Sequence, residues 1–387
     1  MQNARISAWK PDARLRELLR AVILEDDRWK DAWIGWRRSA DLENLPPGAF
    51  RLLPRLYRKL RAENVTDPWM GRLQGIYRHT WARNQTLLRE TTQAAQVLHK
   101  AGIPVMLIKG AALILSIYRD AGLCPTVDMD LLVPDSQANA AFGCLRADGF
   151  SATGRYQGGI ADRFLRIGFS HPVRSPQGYE IDVHWHLLYF RSFAGADETF
   201  WGHAVRAELS GLPVLLPAAT DMLLNTCLHG MCWSSTSSLR WAMDAAALIR
   251  GADIDWDRLA AYASWPGVPL PLRLSLEYLR DELELPVPEI ALRKIRAAPV
   301  SDSDRWVFMT YAGQEGLLWN TLSLWFRHTR FSRTEPASLL RLIAELPQFL
   351  AAYWALPSSW SVPGLALQKV ARRISRGTLN GEVPRDG

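Results

Sequence analysis

Val127-Asp128-Met129-Asp130-Leu131-Leu132-Val133 is an apolar run interrupted twice by aspartate. Side chains alternate across a β-strand. Asp128 and Asp130 therefore project from one face, with Val127, Met129 and Leu131 on the other. Two adjacent carboxylates repel, and an otherwise apolar strand does not carry such a pair without compensation. A divalent cation bridging both supplies it, and Mg²⁺ favours a few carboxylates completed by substrate phosphates. The alternative, two hydrated aspartates where a strand end meets solvent, stays open on this stretch alone.

Downstream, Phe164 to Arg174, the turn Ser175-Pro176-Gln177-Gly178, and Tyr179 to Leu188 read as a β-hairpin. Glu180, Asp182, His184 and His186 fall on one face of the second strand; Ile181, Val183, Trp185 and Leu187 fall on the other. If that strand joins the same sheet, Asp182 becomes a third carboxylate beside Asp128 and Asp130. Three carboxylates around two cations suit in-line chemistry at phosphorus, with Asp182 as candidate base for an acceptor hydroxyl. His184 and His186 are open between metal ligation and hydrogen bonding at a strand edge. Glu180, nearer the turn, reads as a surface residue.

Upstream, the short apolar run Ile103 to Ile108 ends in Lys109-Gly110-Ala111, a strand entering a helix that continues to Tyr118. Such a turn offers backbone N–H groups to an anion, Gly110 allows close approach, and Lys109 adds a cation for a phosphate. Alone the turn says little; about 18 residues before an Asp-x-Asp strand it points to a phosphate site.

Around this α/β unit the pattern is helical. Leu15, Leu18, Leu19, Val22 and Ile23 recur at helical spacing, as do Leu87, Leu88, Ala94 and Leu98. Met222, Leu223, Leu228, Leu239, Met243, Ala246 and Leu248 supply an apolar face beyond Ala218. The expected fold class is α+β: a small mixed β-sheet unit flanked by N-terminal helices and a C-terminal helical domain. The expected divisions are 1–101, 102–215, 216–367 and a basic, partly disordered tail 368–387. The 387 residues are 48% hydrophobic and 22% charged, which disfavours a disordered chain. A net charge of +7 fits an anionic partner or merely an arginine-rich surface. Cys124, Cys144, Cys227 and Cys232 are too scattered for a disulfide framework, and Cys227-His229-Cys232 lacks a second ligand pair for zinc. No uncharged apolar run reaches a membrane span, and Met1 to Arg20 lacks an apolar signal core, so a cytoplasmic protein is expected. The 17 tryptophans are dispersed, which suits core anchors rather than a stacking motif.

Ile108-Lys109-Gly110, Asp128-Met129-Asp130-Leu131-Leu132-Val133 and Asp182-Val183-His184-Trp185 together resemble the polymerase-β-type nucleotidyltransferase superfamily. Within it they resemble a bacterial family of uncharacterised nucleotidyltransferases with a Leu-Lys-Gly turn, an Asp-Ile-Asp-Leu-Leu-Val strand and an Asp-x-His-Trp strand. The likeness extends to Leu53-Pro54 and Asn84 before the centre, and to His229, Arg240, Trp241 and Asp244 after it. It implies transfer of a nucleoside monophosphate from an NTP, with ATP expected, to a hydroxyl of an unidentified acceptor, with Mg²⁺ or Mn²⁺ and release of pyrophosphate. Asp128, Asp130 and Asp182 are then the catalytic metal ligands, and Lys109, Gly110 and Ala111 the nucleotide contacts. The family often has an arginine where Cys124 stands, and Arg119 is the nearest substitute. Arg240 and Asp244, four apart, read as a helix-surface ion pair, and His229 as a satisfied interior histidine. Phosphoryl or pyrophosphoryl transfer at the same metals, a catalytically inactive nucleotide-binding interaction protein, and a nucleic-acid binder remain as alternatives. A peptide acceptor is weakly favoured, and the oligomeric state is unknown.

Overall fold

Alternation of buried aliphatics with polar groups in three short runs builds the centre of a seven-stranded mixed sheet. The computed structural model describes residues 10–153, 162–189, 191–232, 239–312, 325–326, 329, 339–365 and 368. Its strands are β1 (Met106–Ile108), β2 (Met129–Leu132), β3 (Ser151–Ala152), β4 (Ser170–Arg174), β5 (Glu180–His184), β6 (Val205–Leu209) and β7 (Leu212–Leu216). Their order is β3-β4-β5-β2-β1-β7-β6. β2 runs parallel to β5 and β1 parallel to β7, while β1 and β2 are antiparallel. The α+β class expected from the sequence is therefore the class observed.

Strand bounds are tighter than the sequence pattern suggests. The hairpin turn falls where expected: Ser175 donates its N–H to the Tyr179 carbonyl, and Gly178 N–H reaches the Ser175 carbonyl. Gly178 has φ +91°, a conformation that costs glycine little. The helix expected from Ala111 to Tyr118 is instead α-helical over Lys109–Leu113 and π-helical over Ile114–Tyr118, ending at Arg119 with φ +50°. The hairpin of β6 and β7, turning at Ser210-Gly211, was not read from the sequence. Its signal was the Ser-Gly pair between two five-residue strands.

Among the described residues four long helices precede β1: α1 (Ala13–Ile23), α2 (Arg28–Ser39), α3 (Leu53–Ala62) and α4 (Met70–Lys100). Asp12 caps α1, its Oδ1 accepting from Leu15 N–H at 2.9 Å. On α4 the buried positions Leu73, Thr80, Asn84, Leu87, Thr91, Ala94 and Leu98 form one helical stripe facing the sheet side of the molecule. Beyond β7 come α5 (Ala219–Cys232), α6 (Arg240–Gly251), α7 (Trp256–Ala261), α8 (Pro269–Asp281), α9 (Glu289–Ala297), α10 (Asp302–Ala312) and α11 (Leu339–Tyr353). One continuous hydrophobic cluster runs from Leu18 on α1 through the sheet to Phe308 on α10. Trp29, Trp33, Trp36 and Trp185 are among its anchors. Among the described residues no helix is long and apolar enough to cross a membrane. Much of the Trp-rich stretch 302–365 and nearly all of the basic tail 368–387 lie outside the described residues.

Candidate active site

Asp130 and Asp182 are register partners on the parallel strands β2 and β5, and Ile108 on β1 lies opposite Asp130 on the other side. Register partners present their side chains on the same face, so the two carboxylates share one face of the sheet. His184, two residues after Asp182, adds its imidazole there. Its Nε2 is 3.0 Å from Asp182 Oδ2 and 3.2 Å from Asp130 Oδ1. Donor atoms of Asp130, Asp182 and His184 all lie within 4.8 Å of one another. On the opposite face Ile181, Val183, Met129 and Leu131 are fully buried and hold both strands in place.

Lys109 completes the cluster. Its Nζ lies 2.5 Å from Asp130 Oδ1 and 3.1 Å from His184 Nε2. Burial works against all these charges, and their mutual attraction overrides it. The Asp130 carboxyl sits well below the usual range because Lys109 and His184 outweigh its burial. Asp182 is lowered likewise, by His184 and Lys109 against its burial. Lys109 is raised by Asp130 and Asp182 despite its desolvation. Asp128 behaves differently. It stands just before β2, outside the tight donor group, and burial plus the charge of Asp130 raises its pKa.

The segment leading into Asp128 is pinned by three side chains, two from α4 and one from α6. Asn84, buried on α4, donates from Nδ2 to the carbonyls of Ala121 at 2.6 Å and Cys124 at 2.8 Å. Arg83 reaches the Val127 carbonyl at 3.2 Å. Arg240 on α6 donates to the Pro125 carbonyl at 2.7 Å and to Asp244 Oδ2 at 3.0 Å. The surface ion pair expected for Arg240 and Asp244 is thus a buried clamp: their side chains are only 14% and 6% exposed, and Tyr118 hydroxyl also donates to Asp244.

Other expected contacts fall differently. Gly110 is buried, and a Cβ there would meet the Arg240 guanidinium at 3.3 Å and Thr126 Oγ1 at 3.5 Å. Its lack of a side chain makes room for Arg240, where the sequence suggested room for phosphate. Ala111 is fully buried in the short helix after β1. Arg119 is not brought to the acidic cluster; it lines a separate cleft of about 670 Å³ between α4 and the β6–β7 turn. The cation that sequence reasoning missed near the turn is Arg240, over a hundred residues away and hidden as an i, i+4 pair. His186 leaves the cluster: its Nδ1 pairs with Asp197 Oδ2 at 2.7 Å. Glu180 pairs with Arg174 at 2.7 Å on the surface.

A cavity of about 60 Å³ adjoins the cluster, lined from the sheet side by Lys109, Ser170, Asp182 and His184 and from α5 by Asn225 and His229. Burial, reinforced by the charge of Lys109, pushes the His229 imidazole down to about 3, so it is neutral near pH 7. Burial pushes the Cys124 and Cys227 thiols up to about 12, as expected of inert core cysteines. The donor set suits a divalent cation. Among the described residues Asp182 Oδ1 is buried with no hydrogen-bond partner, while Oδ2 takes Ser170 Oγ at 3.1 Å and His184. A buried carboxylate oxygen left in that state is an anomaly that a bound cation or a substrate donor removes.

Acidic residues thus lie on two adjacent parallel strands of a mixed sheet, next to a strand–lysine–glycine turn. The family of uncharacterised nucleotidyltransferases matches residues 49–283, well over half of the 387 residues, and the chain belongs to that family. Among solved structures it is similar to the antibiotic-resistance factor ANT(2'')-Ia. Identity there is 12%, over 52% of this chain and 97% of that chain, with a TM-score of 0.33. It is also similar to an antigenic nucleotidyltransferase-like protein from Paracoccidioides brasiliensis. That match has 18% identity over 57% of this chain and 96% of that chain, with a TM-score of 0.32. No curated protein matches the chain.

Proposed function

We propose that this nucleotidyltransferase-family chain is a divalent-cation-dependent enzyme. It transfers a nucleoside monophosphate from an NTP, ATP being the first candidate, to a hydroxyl of an acceptor and releases pyrophosphate. The observation that carries the reading is the register pairing of Asp130 with Asp182, which gathers two carboxylates and His184 on one face beside Lys109. Asp130, Asp182 and His184 would hold the cation, with Asp128 at the edge for a second. Bound there, Mg²⁺ or Mn²⁺ supplies charge neutralisation for the phosphates and a lowered pKa for the attacking oxygen.

The chain's own groups have separate tasks. Asp182 Oδ1, buried and without a partner among the described residues, would accept the proton of an acceptor hydroxyl. Ser170 fixes the other oxygen of that carboxylate. Lys109 is the cation nearest the acidic group and the one available to a β- or γ-phosphate. Arg240, behind Gly110, adds fixed positive charge and holds the segment that carries Asp128. His229 presents a neutral imidazole from α5 to the cavity.

Incubation with α-labelled and γ-labelled NTPs, Mn²⁺ and a panel of hydroxyl acceptors, peptides included, tests the reading. Transfer of the α-label with equimolar pyrophosphate is expected. Asp130→Asn should lower the rate by more than about 100-fold while leaving the melting curve nearly unchanged. Transfer of the γ-label instead, or full activity in Asp130→Asn, would remove the proposed mechanism.

A further inference from the structure

Lys109 occupies an unusual position for a phosphate-binding lysine. Its ammonium rests against Asp130 Oδ1 at 2.5 Å and His184 Nε2 at 3.1 Å, two of the three donor atoms of the candidate cation site. Its backbone has φ +49°, in the left-handed region that a lysine seldom adopts, at the point where β1 passes into the helix. The side chain is only 21% exposed.

The donor atoms it touches are already spaced for a metal. His184 Nε2 lies 3.0 Å and 3.2 Å from the two carboxylate oxygens. Neighbouring ligands around a cation bound at about 2.1 Å in octahedral geometry are about 3.0 Å apart. His184 Nδ1 faces the His186 carbonyl at 3.4 Å, a contact that orients the ring with Nε2 toward both carboxylates. Without the ammonium, Asp130 and Asp182 would face each other as uncompensated charges on adjacent strands.

We infer that Lys109 is a built-in placeholder cation. It holds the donor atoms in ligand-ready geometry, gives them up when a divalent cation enters, and the released ammonium then engages the anionic triphosphate. One positive charge leaves the donor group and two arrive. This assignment rests on the cation-dependent reading above and adds an order of events to it: the lysine leaves Asp130 before it can serve the nucleotide.

Calorimetric titration of Mn²⁺ into the full chain and into Lys109→Met tests the inference. Mn²⁺ is the probe because it accepts an imidazole ligand more readily than Mg²⁺. Removing the competitor should tighten Mn²⁺ binding by about tenfold or more. Amine acylation of the unaltered chain, read by mass spectrometry, supplies a second measurement that decides the matter if Lys109→Met does not fold. Lys109 should resist labelling without metal, become labelled at saturating Mn²⁺, and be protected again when ATP is added. Equal or weaker Mn²⁺ binding in Lys109→Met, or labelling indifferent to Mn²⁺, overturns the placeholder role and leaves the cation site standing. Mn²⁺ binding by neither chain overturns the cation site and the placeholder role together.

Discussion

Asp182 shows how much one carboxylate's surroundings decide. Its two oxygens are unequal: one is engaged by Ser170 and His184, the other is buried and unpartnered among the described residues. Ser170→Ala should leave the fold intact and lower turnover by about 10-fold, since groups that orient a ligand commonly contribute 10–100-fold. Initial rates and melting curves on the same preparation check this. His229 gives a pH expectation. Its pKa is ordinarily near 6.5 when unfolded and about 3 here. Between those values the unfolded chain binds a proton that the folded chain refuses, so stability falls as pH drops from 6.5 toward 3 and is unaffected above. Urea midpoints between pH 4 and 7 should decline less steeply in His229→Gln than in the unaltered chain. Parallel slopes would mean that the histidine titrates normally.

Elements matter here through how they grip the loop before β2. Asn84 on α4 and Arg240 on α6 reach the same segment from opposite ends of the chain. Asn84→Ala would strand two buried carbonyls, and a loss of about 2–4 kcal/mol is expected in denaturant unfolding. Arg240→Met would leave Asp244 as an unpaired buried charge, and about 3–5 kcal/mol is expected. An exposed i, i+4 pair contributes about 0.3–0.5 kcal/mol, so a measured loss below about 1 kcal/mol would return Arg240 to the surface role its sequence spacing suggested. The α5–α6 packing is equally exacting. A Cβ on Gly230 would fall 2.1 Å from Trp241 Cγ. Gly230→Ala should therefore force the two helices apart, at a cost of about 1–3 kcal/mol, and displace the neighbouring His229.

At the scale of the whole molecule, the cavity beside the cluster is the constraint. It is about 60 Å³, whereas pockets for ligands of nucleotide size run to about 300–1,000 Å³. Its far wall is α5, the first helix after the sheet, and the proposed nucleotide transfer at this cluster therefore predicts that α5 shifts from β4 and β5 when an NTP binds. Hydrogen exchange over 219–232 in the unaltered chain should change on addition of a non-hydrolysable ATP analogue with Mn²⁺. Exchange in α1 and α2, on the N-terminal side, should stay the same. An α5 that ignores nucleotide would place the binding cleft elsewhere on the sheet. The hydrophobic cluster continuous from Leu18 to Phe308 adds a related expectation. A chain truncated after residue 217 should lose cooperative unfolding in urea, because α5 and the helices beyond it would be gone from that shared cluster.

The local pattern determined the central strands β1, β2, β4 and β5, though Asp128, expected on β2, stands just before it. The alternation around Asp130, the hairpin turn at Gly178 and the helical stripes on α1 and α4 are all near-neighbour properties, set by backbone geometry and side-chain period. Period alone also made His184 a face-mate of Asp182. Which strands would be neighbours was another matter. Pairing of β2 with β5, whose register partners are 52 residues apart in the chain, is fixed by packing of Ile181, Val183, Met129 and Leu131 into a shared core. That pairing raised His184 to a candidate ligand, and the end of β5 at His184 sent His186 to Asp197. Tertiary packing also turned Lys109 onto Asp130, buried the Arg240–Asp244 pair and carried Arg119 to a different cleft. Charges choose partners by distance in space, and in this chain the decisive distances join residues that the sequence keeps far apart.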